Sequence, residues 1–299
     1  MIKKGQVFFS SGGNYKVFVN KNEIYNAKPL GIFRKDKIKI LVGDVVDIKL
    51  DSLKKGFEEL NTIIKLYPRK NQFVRPNVTN IDNVIILTSI TKPNLADYLL
   101  DKLITQFNML EVEIILIFTK ADLEISTQNQ KIIDEYITAG FKVLISANGL
   151  SKEDIEKLTK WTTHKLSVLT GQSGVGKSTL INNLGTNFHL PTDEISEKLG
   201  RGKHTTRHLE IFEIFKDAFF IDTPGFSSFS VQNNEVDNLN WSFFNFEKYI
   251  KKCEFKDCSH VNEPNCAIIE ALKEGDISSK KYQNYLKLRK EMLKNTYYK

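Results

Sequence analysis

The chain has 299 residues, 41% of them apolar, with 43 basic against 36 acidic side chains and three cysteines. That length and apolar content support two or three ordinary cores and exclude a disordered or fibrous polypeptide. No apolar run approaches the roughly twenty residues of a membrane span, MIKKGQVFFSSGG at the start lacks the apolar centre of a signal peptide, and an odd cysteine count argues against a disulfide framework, so a cytoplasmic protein without membrane contact is expected.

The first segment reads as small strands. QVFFS, YKVFV, KPLGIF, KIKI and DVVDIKL are β-branched or aromatic runs separated by turn signals at Gly12-Gly13-Asn14, Lys21-Asn22, Lys35-Asp36 and Gly43-Asp44. Five such strands predict a five-stranded barrel of the oligonucleotide-binding (OB) type over residues 1–66. Thirteen basic and seven acidic side chains give this segment +6, residues 280–299 carry another +6, and the middle of the chain is −5. Charge gathered at the two ends fits a polyanionic partner; a barrel used only for packing is the alternative.

Near Tyr67-Pro68-Arg69-Lys70 the pattern changes. VIILTSI (84–90), IILIF (114–118), VLIS (143–146), LSVLT (166–170), HLEIFEIF (208–215) and AFFI (218–221) alternate with helical stretches, which predicts an α/β domain over 67–229 with a mostly parallel sheet covered on both faces. Beyond it the chain turns polar, then gives all three cysteines and further helices, a third region over 230–299. Tyr282, Tyr285, Leu286 and Leu293 recur at three-to-four spacing on a basic terminal helix, so a packing stripe is expected with lysines on the other face.

Four motifs lie in the α/β segment. TKAD comes first, after IILIF: Asp122 in a loop beyond a strand end can accept both N1–H and the exocyclic amine of guanine, Lys120 can lay its stem along the base, and Thr119 belongs to the same box. SAN follows, with Ser146 and Ala147 offering N–H groups to the guanine carbonyl. GQSGVGKS fits G-x-x-x-x-G-K-[ST] between a strand and a helix: Gly171, Gln172, Ser173, Gly174, Val175 and Gly176 curl around phosphate, Lys177 reaches the β and γ oxygens, Ser178 ligates magnesium, and Thr179 completes the turn. DTPG is last, with Asp222 expected to hold magnesium through water and the Gly225 N–H to meet the γ-phosphate.

Between the last two lies GRGKHTTRH (200–208), a switch-loop candidate in which Thr205 or Thr206 supplies a magnesium ligand only while the γ-phosphate is present. Phe226 follows DTPG where many GTPases have a water-orienting glutamine. Phenylalanine cannot take that role, and His204 is the nearby residue with suitable chemistry. An ordinary GTPase meets its phosphate loop before its guanine box. Here the order is rotated.

Cys253, Cys258, His260 and Cys266 form C-x4-C-x-H-x5-C, a closed Cys3His set for one structural zinc. Taken together, LVGD (41–44), RPNVTNIDN (75–83), TKAD, GQSGVGKS, GRGKHTT, DTPGF and CEFKDCSHVNEPNC resemble the RsgA (YjeQ) family of circularly permuted GTPases, over nearly the whole chain. The resemblance implies an OB barrel, a permuted GTPase domain using GTP/GDP with Mg2+, and a C-terminal zinc region. It implies further a monomer acting on the small ribosomal subunit and its rRNA, hydrolysis stimulated by that subunit, and catalysis by His204 together with Lys177 and Thr206. The arginine-rich pattern of the family's barrel is thin here, and KPLGIFRKDK stands in its place. Two other classes stay open from the residues alone: a zinc-containing nucleic-acid-binding regulator with a purely structural nucleotide site, and a P-loop kinase or ATPase, against which TKAD argues.

Overall fold

The computed structural model describes residues 1–21, 23–50, 61–74, 76–184, 188–189, 210–222 and 236–297. The N-terminal elements are β1 (Ile2–Ser11), β2 (Asn14–Asn20), β3 (Glu23–Pro29), α1 (Gly31–Lys35), β4 (Val45–Lys49) and β5 (Asn61–Leu66). There follow β6 (Asn83–Ser89), α2 (Asp97–Asn108), β7 (Glu113–Thr119), α3 (Thr127–Thr138), β8 (Lys142–Ser146), α4 (Lys152–Thr162), β9 (Leu166–Gly171), α5 (Lys177–Leu184), β10 (Phe188–His189), β11 (Glu210–Phe215) and β12 (Ala218–Asp222). Helices α6 (Val236–Ser242), α7 (Glu247–Ile250), α8 (Ala267–Glu274) and α9 (Ser279–Tyr297) complete the chain. These fall into two compact units: Met1–Asn83, Lys152–Thr170 and Lys177–Phe229 in one, Val84–Ser151, Gly171–Gly176 and Ser230–Lys299 in the other.

In the first unit β1-β2-β3-β5-β4 close into a barrel. The β1–β2 turn needs two residues at positive φ, and Gly12 (57°) and Gly13 (82°) supply them between the paired Ser11 and Asn14. Alternate strand positions fill the interior with Val7, Val17, Ala27, Val46, Ile48 and Ile63, and Phe33 of α1 plugs one end. The strand reading needs correction in two places. KPLGIF divides between the end of β3 and α1, and KIKI is not a strand, because Lys37 takes a left-handed φ of 54° and the Ile38 N–H returns to the Phe33 carbonyl. The remaining strand is NTIIKL, which becomes β5 and runs parallel to β3. Ile40 still enters the core as an irregular segment.

LVGD and RPNVTNIDN act together. Asp44 is fully buried and accepts from the Leu41 N–H (2.7 Å), the Thr79 hydroxyl (2.9 Å) and both Nε and Nη2 of Arg69 (2.7 and 2.8 Å). Gly43 lies so close that an added Cβ would meet the Thr79 carbonyl oxygen at 1.9 Å, and the Asn80 amide donates to the Gly43 carbonyl (3.0 Å). The mouth of β4 and the segment after β5 are thereby locked to one another.

The barrel also leans on a hairpin of its own unit. Phe8 and Phe18 stack at 4.6 Å, Phe219 of β12 meets both rings edge-on at 5.0 and 5.1 Å, and Lys21 pairs with the buried Glu213 of β11 at 2.7 Å. Strands β10, β11, β12 and β9 are neighbours in that order, with β12 parallel to β9 and β11 antiparallel to β12. In the second unit β6, β7 and β8 run side by side, β7 and β8 parallel and β6 buried along its whole length. Five expected strands of the α/β segment appear in place and HLEIFEIF gives β11. The two-residue β10 is additional. On α9 the packing stripe is Lys281, Asn284, Tyr285, Leu288 and Met292, so one lysine assigned to the solvent face is buried.

Removing the shared acceptor at Asp44 leaves the buried Thr79 hydroxyl and the Leu41 N–H without it, while the part-exposed Arg69 keeps Gln72 and the Lys39 carbonyl. Asp44→Ala is expected to lower unfolding stability by about 1–3 kcal/mol, the usual cost of buried donors left without an acceptor, read as a fall in the urea midpoint of the chain's unfolding transition.

Candidate nucleotide site and metal centre

Strand β7 is buried from Ile114 to Thr119, so its end is rigid and the loop beyond it is well placed to present polar groups. Thr119 is 6% exposed; its hydroxyl donates to the Val175 carbonyl at 2.7 Å and lies 3.4 Å from the Thr88 carbonyl. The first member of the guanine box is therefore turned to the phosphate loop rather than outward. Lys120 then takes a left-handed φ of 63°, which swings the chain away from the strand, and its ammonium contacts the Lys92 carbonyl. Asp122 is exposed.

Parallel pairing places Ser146 beside Thr119, and the Ala121 N–H donates to the Ser146 carbonyl at 3.0 Å. Ser146 is buried while Ala147 is exposed. The two segments expected to recognise guanine are thus adjacent, and one hydrogen bond joins their backbones.

In the phosphate loop, Gly171 admits no side chain, since an added Cβ would lie 2.7 Å from the Leu87 carbonyl oxygen and 2.9 Å from Val175. Gly174 (φ 79°) and Gly176 (φ 96°) take left-handed conformations that L-residues resist. Val175 is fully buried and anchors the loop, whereas Ser173 and Gly174 are exposed and Gln172 is half-buried. A loop anchored at one side chain with its backbone turned to solvent is the form an anion cradle requires.

In the first unit, α5 opens with Lys177, Ser178 and Thr179, the latter two exposed. Strand β12 ends at Asp222, which pairs in register with Leu169 of β9. Hydroxyl and carboxylate oxygens of this kind suit a hard cation such as magnesium. His204, Thr205, Thr206, Gly225 and Phe226 lie outside the described residues.

The cysteine cluster is assembled wholly within the second unit. The ligand atoms of Cys253, Cys258, His260 and Cys266 lie within 4.8 Å of one another. His260 Nδ1 is 3.7 Å from Cys253 Sγ and 3.5 Å from Cys266 Sγ. Zinc bonded to sulfur at about 2.3 Å and to nitrogen at about 2.0 Å gives tetrahedral edges of roughly 3.5–3.8 Å, so the donor set fits the ion in number, type and spacing. Burial holds the His260 imidazole below its usual range, in the neutral form that can ligate, and pushes the Cys258 thiol up to about 12; a bound dication reverses the cost of the thiolate.

The loop carrying His260 is held by residues that sequence reading missed. Glu263 accepts from the N–H groups of Ser259 (2.8 Å), Val261 (2.9 Å) and Asn262 (3.1 Å) and from the Ser259 hydroxyl (2.5 Å). These bonds depress its carboxyl to about 2 despite the burial that opposes them. They also stabilise a turn in which His260 has a φ of 57°. The only signal in the sequence is an acid three places after the histidine.

Comparison with known proteins bears on both sites. Residues 66–232 match the RsgA GTPase family and residues 4–57 match the RsgA N-terminal domain. The protein described as small ribosomal subunit biogenesis GTPase RsgA from Staphylococcus saprophyticus is 38% identical across 97% of this chain and 98% of its own, and that from Caldanaerobacter subterraneus is 37% identical across 97% and 95%. Among solved structures, YloQ, described as a circularly permuted GTPase, is 26% identical with a TM-score of 0.78 over 99% of this chain and 96% of its own. YjeQ from Thermotoga maritima is 27% identical with a TM-score of 0.79 over 98% and 99%. The rotated motif order, the phosphate loop tied to TKAD and these matches make the chain a GTP-hydrolysing enzyme that belongs to the RsgA GTPase family.

Proposed function

We propose that the chain binds the small ribosomal subunit as a monomer in the cytoplasm and hydrolyses GTP during late maturation of that subunit, which stimulates the reaction. The observation that carries the site assignment is the Thr119–Val175 hydrogen bond, because it joins the segment suited to guanine directly to the loop suited to phosphate. The name borne by relatives such as the Staphylococcus saprophyticus protein supports the partner. Basic side chains at the two ends, +6 in residues 1–66 and +6 in residues 280–299 with Lys281 buried, suit rRNA phosphates. A division into barrel (1–66), permuted GTPase (67–229) and zinc region (230–299) belongs to the same reading.

In this mechanism Asp122 selects guanine, with Lys120 along the base and the Ser146 and Ala147 N–H groups toward its carbonyl. The loop from Gly171 to Gly176 cradles the phosphates, and Lys177 stabilises the charge that builds on the β-phosphate as the bond from the γ-phosphorus to the bridging oxygen breaks. Ser178, Thr206 and the water-mediated Asp222 would hold magnesium, which when bound neutralises the charge on the phosphates. His204 orients the water whose oxygen attacks the γ-phosphorus, the Gly225 N–H steadies the phosphoryl group in transfer, GDP leaves, and the water's proton ends on the inorganic phosphate or in solvent. Cys253, Cys258, His260 and Cys266 would hold zinc, which supplies cross-linking of the C-terminal loops and no open ligand position.

Three measurements test this reading. Turnover of GTP is expected to rise on adding purified small subunits, and His204→Ala to cut the stimulated rate by roughly 10²–10⁴ with GTP affinity retained; equal turnover with and without subunits refutes the stimulation. Asp122→Asn is expected to weaken GTP by about 10²-fold or more and to favour xanthosine triphosphate, since an amide can donate to the carbonyl that replaces guanine's amine. Elemental analysis should find one zinc per chain, lost in Cys258→Ser, and a folded native protein free of metal removes the zinc assignment.

A further inference from the structure

One turn of α9 grips in two directions. On one side the Tyr282 hydroxyl donates to the His260 carbonyl at 2.8 Å, and the Tyr285 hydroxyl donates to the Ser259 carbonyl at 2.6 Å. The backbone on both sides of the histidine's nitrogen is therefore hung from this helix. Tyr285 also packs its ring against Phe246 at 4.8 Å, and Phe246 meets the His260 imidazole edge-on at 5.6 Å.

On the other side Lys281, only 2% exposed, donates to Asp101 Oδ1 and to the Tyr136 hydroxyl, both at 2.8 Å, and contacts Asp97. The Asn284 amide donates to Asp97 Oδ2 (2.9 Å) and Asp101 Oδ2 (2.7 Å), while Tyr136 donates to Asp101 Oδ1 (2.7 Å). Two buried carboxylates of α2 thus share one ammonium. Burial pushes Asp101 up to about 6 even with Lys281 opposing it. A third carboxylate faces the same ammonium: Glu135 Oε2 lies 4.0 Å from Lys281 and has no hydrogen bond of its own among the described residues. Moving Lys281 would leave all three acids uncompensated, which favours one arrangement of the network.

Tyr136 carries the connection onward. Lys281 lies over its ring at 4.2 Å, and the ring packs at 6.0 Å against Phe118, the residue before Thr119. At the opposite end of α3 the Ser126 hydroxyl caps the helix by accepting from the Asn129 N–H at 3.2 Å, and the Asn129 amide donates to the Ile90 carbonyl at 2.7 Å. Both ends of the helix that follows the TKAD loop are therefore pinned, one of them by the C-terminal helix.

We infer that Lys281 is a positioning residue for the guanine-reading loop, through which occupancy of the Cys3His cluster and nucleotide binding are coupled. The path is contiguous: the backbone at Ser259 and His260, Tyr282 and Tyr285, Lys281, Tyr136, Phe118, Thr119, and the Val175 carbonyl. A shift of α9 after metal loss moves the ammonium from between Asp97 and Asp101, frees Tyr136, and loosens the strand end on which the base site stands. Linkage requires the reverse as well, so nucleotide strengthens metal binding by the same factor. The inference rests on the guanine-site reading proposed above.

The test is equilibrium binding of a fluorescent GDP to the full chain, zinc-loaded and after zinc removal by a chelator, with zinc content measured alongside. In the native protein, zinc removal is expected to weaken GDP by at least about fivefold, the low end of common couplings, and saturating GDP to raise zinc affinity by the same factor. Lys281→Met should keep one zinc per chain, bind GDP less tightly, and lose less than about twofold more when stripped. Tyr282→Phe with Tyr285→Phe is the gentler variant should Lys281→Met fail to fold; it too should retain zinc while losing the coupling. Native GDP affinity unchanged by zinc removal overturns the inference, as does a full fivefold zinc effect persisting in the variants. Asp122→Asn serves as the control: a switch to xanthosine nucleotides without zinc coupling leaves the guanine site standing and removes only this inference, whereas no switch removes the site reading itself.

Discussion

A hydroxyl and a carbonyl hold the nucleotide machinery in register. Thr119 ends a strand whose preceding residues are buried, Val175 anchors a loop whose glycines leave it little stiffness of its own, and the bond between them fixes the second against the first. Without it the phosphate loop would depend on Gly171 packed beneath Leu87 and on the single apolar anchor at Val175. Threonine suits the task because its hydroxyl reaches the carbonyl while its methyl group stays among buried neighbours. The segments proposed to read the base and to cradle the phosphates therefore depend on one strand end, and a change in the packing beneath that strand is felt by both.

The packing beneath it includes Phe118, Tyr136 and the polar group around Lys281. Buried charge is a poor source of net stability and a good source of definition, since its partners can be satisfied in few ways. Asp97, Asp101, Lys281 and Asn284 come from helices far apart in the chain, and the bonds among them decide how the C-terminal helix lies on α2 and α3. The Asp44 cluster does comparable work at the barrel's edge, where one carboxylate organises Leu41, Arg69 and Thr79. Each unit thus has a buried acid at the point where separate segments must keep a fixed relation.

The candidate site can be picked out in the sequence because its motifs are local. Glycines at 171, 174 and 176, the TKAD loop and the spacing of three cysteines and a histidine each declare themselves within a few residues, and strand periodicity locates β6 to β9 and β12. The barrel was harder. Lys37 to Ile40 has strand composition, yet it follows α1 as a left-handed turn and an irregular segment, and Asn61–Leu66 closes the barrel through a parallel pairing that no short-range pattern reveals. Lys281 was placed in solvent because lysine on a helix ordinarily is. Only the approach of Asp97 and Asp101, some 180 residues earlier in the chain, makes a buried ammonium tolerable there.

The aromatic side chains of the barrel have a consequence for what it can distinguish. Phe8 is buried, stacked on the half-buried Phe18 and met by Phe219 of the same chain, so Phe8 is closed to a base and Phe18 has one face taken. Two half-buried tyrosines carry ammonium groups: Lys4 and Lys65 sit over Tyr67 at 4.3 and 4.4 Å, and Lys3, also paired with Glu23, lies over Tyr25 at 5.4 Å. An ammonium has neither the plane nor the fork of a guanidinium, and it meets a phosphate oxygen as a point charge. A strand of nucleic acid laid on that surface would be held by its backbone, with its letters unread. Under the proposed reading such a barrel is a handle, and choice among RNA sites would come from their shape and from whatever else in the assembly touches the enzyme at the same time.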